Sequence, residues 1–186
     1  MIVAIHQTNF MPWLPFFKKM EQADAFVFLR HCQWSKGGYQ NRFDMNGNWY
    51  TMSVQQGLED IADKMYLDPM ADWGRIISRL PEHKGTLLTL RSALHHDKRL
   101  CGVNFRLALQ IRNMLGIRTV LAADRPTEAT GTKRLVNICK EAKATTYLSG
   151  PSGRNYLDLE LFDRAGIGVE FFEADEADKV PILEAI

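Results

Sequence analysis

A histidine and two amides directly follow an apolar segment near the amino terminus. Residues 2–5 are Ile-Val-Ala-Ile, and His6, Gln7 and Asn9 come within four positions after them. A histidine at the end of a strand can act as a general base or orient a substrate, because its imidazole titrates near neutral pH. We therefore predict His6, Gln7 and Asn9 as catalytic residues. The alternative is a histidine that caps the following helix.

A loop in the last third of the chain has the residue types of an anion site. It reads Ser-Gly-Pro-Ser-Gly-Arg over residues 149–154 and leads into a predicted helix. Backbone N–H groups and a guanidinium can bind phosphate there, although glycine and proline are also ordinary turn residues. The loop matches neither a Walker nor a dinucleotide fingerprint. The predicted substrate-binding residues are Ser149, Gly150, Ser152, Gly153, Arg154 and Tyr156.

A second loop, residues 34–42, combines cations, amides, aromatics and two glycines in the order Trp-Ser-Lys-Gly-Gly-Tyr-Gln-Asn-Arg. This mixture suits a phosphate together with a flat or sugar-like group. The alternative is an exposed loop whose glycines only provide flexibility. We predict substrate binding by Lys36, Gln40, Asn41 and Arg42.

No metal, cofactor or catalytic triad is predicted. Residues 95–97 read His-His-Asp, but adjacent residues on a helix do not face one another, so we interpret them as surface. The cysteines Cys32, Cys101 and Cys139 are odd in number and far apart, which fits neither disulfides nor a metal knuckle.

These candidate residues lie in a sequence that alternates between apolar runs and helical segments. Apolar runs at residues 2–5, 25–29, 118–122, 145–148 and 168–172 are typical of buried strands. They predict an α/β fold with a three-layer, mostly parallel, doubly wound (Rossmann-like) sheet. Ligands bind such sheets beyond the carboxyl ends of the strands, so we expect the loops after the first, second and penultimate strands to meet at one edge.

Two insertions accompany the predicted sheet. Asn46-Gly47, between apolar segments, indicates a β-hairpin that extends the sheet or folds over its edge. Residues 70–116 are predicted as a helical insertion. A length of 186 residues favours one domain over residues 1–186.

Composition restricts the class of protein. Hydrophobic residues make up 46% of the chain and the net charge is +1, with no apolar run of about 18 residues that could span a membrane. The amino terminus lacks the basic and apolar regions of a signal peptide, so we expect a cytoplasmic protein without a membrane partner. The oligomeric state is left open.

Charge is distributed unevenly along the chain. Residues 155–186 contain nine acidic and two basic residues, and residues 75–118 contain two acidic and nine basic residues. The basic stretch suits a nucleic acid or a phosphate-bearing substrate, and the alternative is helices with solvated cations. Its basic residues are Arg75, Arg79, Lys84, Arg91, Lys98, Arg99, Arg106, Arg112 and Arg118.

Three separated blocks of the chain resemble the WbqC-like family. They are residues 5–13 (Ile-His-Gln-Thr-Asn-Phe-Met-Pro-Trp) with Phe-Phe-Lys-Lys at 16–19, residues 33–36 (Gln-Trp-Ser-Lys) with Gln-Asn-Arg at 40–42, and residues 145–157. The resemblance implies a role in attaching glycine or another small amino acid to a sugar, as in O-antigen and other bacterial polysaccharide biosynthesis. Two features depart from the family pattern, Arg30-His31 after the second strand and the acidic residues 173–186, and they suggest a changed acceptor.

We therefore predict a transferase that joins a small amino acid to a phosphate-activated acceptor. The acceptor is a sugar nucleotide or glycan, or alternatively a hypermodified pyrimidine base in DNA, as for a phage-type amino acid:DNA transferase. A second alternative is a non-catalytic module that binds a nucleotide-sugar. In the enzyme, His6 deprotonates the ammonium of the amino acid, and Lys36, Arg42 and Arg154 hold the leaving phosphate.

Overall fold

A computed structural model describes residues 1–95 and 97–186, so the histidine at position 96 lies outside the described residues. The chain divides into two compact units. The first, here called the sheet unit, comprises Met1–Gln7, Pro15–His31 and Arg118–Lys179. The second, the hairpin unit, comprises Thr8–Leu14, Cys32–Ile117 and Val180–Ile186. The prediction of one domain for the whole chain stays a prediction.

The described residues form seven strands and six α-helices, joined by loops and short 3-10 turns. The strands are β1 (Ile2–Gln7), β2 (Ala25–Leu29), β3 (Arg42–Met45), β4 (Asn48–Thr51), β5 (Val120–Ala123), β6 (Thr146–Ser149) and β7 (Gly168–Phe171). The helices are α1 (Leu14–Glu21), α2 (Pro69–Arg79), α3 (Lys84–Leu90), α4 (Leu100–Met114), α5 (Gly131–Glu141) and α6 (Leu159–Asp163).

The sheet unit is a five-stranded parallel sheet in the order β5-β2-β1-β6-β7 with helices on both faces, which confirms the predicted α/β architecture. Val3 and Ile5 point to one face, where they pack with side chains of α5 and α6 such as Cys139 and Phe162. The other face carries Phe26, whose ring lies 5.0 Å from that of Phe16 in α1. Strand side chains alternate between faces, and both faces are covered, which explains the continuously apolar sequence of β1.

Strand β1 occupies the centre of this sheet. It pairs with β2 on one side, where His6 lies opposite Phe28, and with β6 on the other, where Ala4 lies opposite Leu148. The chain first winds outward from β1 to β2, and later returns to β6 on the opposite side. The carboxyl ends of β1, β2 and β6 therefore lie at the same edge of the sheet, and the winding direction reverses between β1 and β6. That the loops after these strands meet stays a prediction.

The hairpin unit contains β3 and β4 together with α2, α3 and α4. Asn46 and Gly47 have φ angles of 54° and 84°, as the tight turn between two adjacent strands requires, so the predicted hairpin is confirmed. Within the described residues β3 pairs with β4 alone, so the hairpin does not extend the parallel sheet, which was the first of the two placements predicted for it. Helices α2 to α4 correspond to the predicted helical insertion.

The longest helix is α4, with 15 residues. Across residues 1–95 and 97–186, no helix combines the length and hydropathy that crossing a membrane requires.

Candidate functional site

His6 lies near the carboxyl end of β1 and is half-buried. Its Nδ1 is 3.1 Å from the backbone carbonyl oxygen of Gln7, and its ring meets Phe16 edge-on with 5.0 Å between ring centroids. Burial, assisted by the positive charge of Lys19, lowers the pKa of His6 to about 3. The imidazole is therefore neutral at pH 7. Because a carbonyl only accepts, Nδ1 carries the proton, which leaves Nε2 as a hydrogen-bond acceptor.

Lys19 is a buried lysine on α1 next to this histidine, with only 3% of its surface exposed. Its Nζ donates a hydrogen bond to the carbonyl oxygen of Ile5 at 3.2 Å and lies 5.6 Å from the centroid of the Phe26 ring. No carboxylate of the described residues forms an ion pair with it. Burial lowers the pKa of Lys19 to about 7. Buried amines of this kind cluster at functional sites.

Sequence reasoning missed Lys19, although the helical period contained a signal. Position 19 follows the buried Phe16 by three residues, so the two side chains share a face of α1. A charged residue on the buried face of a short helix is unusual enough to mark a candidate.

Gln7 and Asn9 follow His6 in the chain. Gln7 is the last residue of β1, is half-buried and lies opposite Leu29 in β2. Asn9 is half-buried and belongs to the hairpin unit. Between them, Thr8 is 1% exposed, and its hydroxyl has no hydrogen-bond partner among the described residues.

The predicted anion loop begins where β6 ends, at Ser149. Continuing the register from Ala4 and Leu148 places Gly150 at the level of His6 on the neighbouring strand. A β-carbon at Gly153 would lie 2.1 Å from Ser149 Oγ and 2.9 Å from a methyl group of Leu157, so close approach requires glycine there. The structure thus brings the start of this loop alongside the end of β1.

The polar groups of this loop are partly engaged in its own structure. The Gly153 N–H donates to the Gly150 carbonyl at 3.0 Å, and the Ser149 hydroxyl donates to the same carbonyl at 3.1 Å. Arg154 is exposed, pairs with Glu173 at 2.8 Å, and lies 4.5 Å from the centroid of the Phe171 ring. Such an exposed ion pair is weak, so the guanidinium can exchange Glu173 for a ligand anion. Ser152 and Tyr156 are exposed.

Asp124 and Arg134 hold the loops after β2 and β5, and sequence reasoning missed both. Asp124 is buried and accepts hydrogen bonds from the backbone N–H groups of Arg30 and His31, at 2.9 and 3.2 Å. The Arg134 guanidinium donates to the carbonyls of His31 and Thr127. These contacts connect distant segments, so no local pattern could have revealed them.

The two predicted amides of residues 34–42 are buried in the hairpin unit. The Asn41 side chain donates to the Met52 carbonyl at 2.8 Å, and the Met52 N–H donates to the Asn41 carbonyl at 2.8 Å. The backbone carbonyl oxygen of Gln40 accepts hydrogen bonds from the Asn104 side chain at 2.7 Å and from the Tyr66 hydroxyl at 3.2 Å. These contacts give both residues a role in holding the loop.

The two predicted cations of that loop differ in their surroundings. Arg42 donates from Nε to the Gly38 carbonyl at 3.3 Å and from a terminal nitrogen to the Gly37 carbonyl. Its guanidinium carbon lies 4.1 Å from the centroid of the Trp49 ring. Lys36 is exposed. Gly37 has a φ of 81°, so the loop needs glycine at this position.

The basic stretch is less one-sided in three dimensions than along the chain. Its residues 75–117 belong to the hairpin unit, which contains eleven Lys and Arg residues and nine Asp and Glu residues. Two of its cations have acidic partners, since Arg75 pairs with Asp72, and Arg106 pairs with Asp97 at 3.2 Å. The unit that contains the basic stretch is therefore close to balanced in charge.

A search of the described residues finds no three His, Cys, Asp or Glu side chains grouped as metal ligands would be. Cys101 and Cys139 are buried, and burial raises the pKa of the Cys139 thiol to about 12. That thiol is unreactive at neutral pH.

The fold and this site define a doubly wound α/β protein whose polar strand ends lie where the winding reverses, the usual place of a ligand crevice. The chain belongs to the WbqC-like protein family, which it matches over residues 7–179. The uncharacterized protein Rv1507c of Mycobacterium tuberculosis is 32% identical over 190 residues, covering 93% of this chain and 82% of that protein. No solved structure matches the chain.

Proposed function

We propose that the protein is a transferase that attaches a small amino acid, such as glycine, to a phosphate-activated acceptor. The observation that carries this proposal is the neutral imidazole of His6 at the carboxyl end of β1, beside the start of the 149–154 loop on β6. A hydrogen-bond acceptor for the amine beside a loop that can hold phosphate is the arrangement needed for an amine to displace phosphate from a carbon atom.

In the proposed reaction the amino nitrogen forms a bond to an acceptor carbon, and the carbon–oxygen bond to the phosphate breaks. The phosphate leaves with the bonding electrons. The nitrogen loses two protons, one when the ammonium of the amino acid becomes a free amine and one after the bond to carbon has formed. Nε2 of His6 accepts a hydrogen bond from the free amine and directs the nitrogen lone pair toward the carbon. With a pKa of about 3, His6 binds a proton too weakly to retain it, so both protons pass to water.

The remaining predicted residues complete the assignment. Gln7 and Asn9 orient the amine, and the exposed guanidinium of Arg154 exchanges Glu173 for the leaving phosphate. Ser149, Gly150, Ser152, Gly153 and Tyr156 line the same loop, and Lys36, Gln40, Asn41 and Arg42 provide the second predicted binding loop.

Two kinds of acceptor are compatible with the proposed reaction. Family membership favours a sugar nucleotide or a glycan, whereas the exposed cations Arg79, Lys84 and Arg91 favour the phosphates of nucleic acid and a modified pyrimidine base. Retention on DNA that falls steeply between low and physiological salt supports the second acceptor, because phosphate contacts release counterions.

Mass spectrometry tests the function directly. The protein is incubated with a pool of amino acids and with activated sugar nucleotides or hydroxymethylpyrimidine DNA, and products are sought at the mass of an amino acid adduct. His6→Ala should abolish the adduct while the protein remains folded, and the exposed His95→Ala serves as the matched control. Full activity of His6→Ala would show that His6 takes no part in the reaction. Stabilisation by a nucleotide-sugar without turnover supports the binding module instead.

A further inference from the structure

The hairpin unit displays two aromatic rings and a guanidinium on its surface, here called the stacking surface (Tyr39, Arg42 and Trp49). The Tyr39 side chain is 57% exposed and that of Trp49 is 39% exposed, and their ring centroids are 5.5 Å apart. The Arg42 guanidinium lies on the Trp49 ring. The large aromatic residues elsewhere in this unit are mostly buried, among them Phe10, Phe43, Tyr50, Tyr66 and Trp73.

The hairpin register explains why these groups are together. Arg42 pairs with Thr51, and Asp44 pairs with Trp49, so Arg42 and Trp49 are diagonal neighbours on the exposed face. Phe43 and Tyr50 fill the opposite, buried face. The carbonyls of Gly37 and Gly38 then hold the guanidinium against the indole. Backbone contacts therefore preorganise the stacking surface in the absence of a ligand.

The charge of Arg42 has no acidic partner within the described residues. The nearby carboxylate of Asp44 accepts a hydrogen bond from the Gly47 N–H at 3.0 Å and supports the turn. Lys36, three residues before Tyr39, adds a second exposed cation to the same loop. The stacking surface therefore combines exposed aromatic rings with positive charge that the protein does not neutralise.

We propose that Tyr39, Arg42 and Trp49 bind the base of a nucleotide, with Lys36 near its phosphate. A flat, electron-rich base can stack on an aromatic ring and on a guanidinium plane, and its phosphate uses the remaining charge. A neutral sugar would leave both cations unused. The inference rests on the proposed function only in identifying the acceptor as nucleotide-linked, because binding itself needs no turnover.

Calorimetric titration of the full chain tests the stacking surface. The ligands are the nucleoside 5′-monophosphates UMP, TMP, AMP and GMP, with ribose 5-phosphate and inorganic phosphate as controls without a base. At least one nucleotide should bind about tenfold more tightly than ribose 5-phosphate, since stacking on one aromatic residue is worth about 5- to 150-fold in affinity. Equal affinity for ribose 5-phosphate, or no binding of any nucleotide, overturns the proposal.

Variants locate the binding. Tyr39→Ala and Trp49→Ala should each weaken nucleotide affinity about tenfold. Trp13→Ala, at an exposed tryptophan in residues 8–14, should leave affinity unchanged. Thermal unfolding verifies that each variant is folded, and Tyr39→Ala tests the surface without altering either strand of the hairpin. Unchanged affinity in a folded Tyr39→Ala protein contradicts the assignment.

The same titration separates this inference from the proposed function. His6→Ala should bind the nucleotide as the unaltered protein does. Nucleotide binding that depends on Tyr39 and Trp49, without amino acid transfer to any acceptor, supports the stacking surface and rejects the transferase. Amino acid transfer that is unchanged in Tyr39→Ala and Trp49→Ala supports the transferase and rejects the stacking surface.

Discussion

Each of the two units buries one lysine, and the two lysines have very different partners. Lys64 in the hairpin unit is fully buried, with Nζ 2.8 Å from a Glu59 carboxylate oxygen and 2.9 Å from the Gly57 carbonyl oxygen. It also lies 4.4 Å from the centroid of the Trp34 ring. Lys19 in the sheet unit has a single carbonyl and a more distant ring. Only the first lysine has a carboxylate partner.

This difference separates a structural charge from a candidate functional one. A buried ammonium is expensive unless a carboxylate and hydrogen bonds compensate it, and Lys64 has both. Lys19 has no such compensation, and burial lowers its pKa to about 7. It also lies next to His6 at the carboxyl end of β1. Selection for stability alone would favour an apolar residue at position 19, which supports a role for Lys19 in adjusting the site.

The largest predicted effect is on stability in Lys19→Met. In the folded protein the pKa is about 7 rather than 10.5, so the unfolded chain binds the proton more readily. Stability should therefore fall as the pH decreases from about 10.5 to 7 and stay low below that range. Removing the charge should raise the free energy of unfolding at pH 6 by about 2–5 kcal/mol. Urea unfolding at pH 6, 8 and 10 measures it.

Lys18→Met is the matched control, because Lys18 is 40% exposed in its side chain and pairs with Glu21. It should change stability little at any of these pH values. If Lys19→Met destabilises the protein equally at pH 6 and pH 10, the lysine is compensated after all and the contrast with Lys64 disappears.

A smaller effect is expected on the ionisation of His6. Its imidazole should stay neutral until the pH falls toward 3, so stability should decrease as the pH drops from 6.5 to about 3. Because the Lys19 charge contributes to the low pKa, Lys19→Met should raise it toward 6.5. NMR titration of the imidazole resonances measures both values, with His6→Gln to assign the signal. An unchanged His6 pKa in Lys19→Met would show that the two groups do not interact.

The smallest effect is expected when Lys64 loses its carboxylate. Glu59→Gln removes the charge that compensates the buried ammonium and should lower the melting temperature. Lys64 would then be, like Lys19, a buried ammonium without a carboxylate partner. Glu173→Gln, at the exposed pair with Arg154, is the control and should shift the melting temperature less. Equal shifts in the two variants would mean that burial of Lys64 does not make its partner important.

Much of the fold could be predicted because its signals are local. The run Ile-Val-Ala-Ile predicted β1, and Asn46-Gly47 predicted the hairpin turn, since each pattern depends only on neighbouring residues. The hairpin's pairing partner could not be predicted in this way. Whether β3 joins a larger sheet depends on packing between distant segments.

The candidate site could be predicted in part for the same reason. His6 and the 149–154 loop follow from the rule that ligands bind beyond the carboxyl ends of parallel strands, which needs only the strand order. The contact from the Asn41 amide to the Met52 carbonyl could not be predicted, because the two residues are eleven positions apart and meet only in the folded chain. The stacking surface needed the hairpin register, which brings Trp49 to the Arg42 guanidinium.

By itself the amino-acid sequence determined the class of architecture, the order of its elements and the polar ends of its strands, because apolar periodicity and turn residues act over short distances. Only the tertiary structure decided which charged side chains are desolvated and which of them form an ion pair. Lys19 and Lys64 are both buried by side chains that are far apart along the chain, and only the folded structure places a carboxylate, that of Glu59, against one of them.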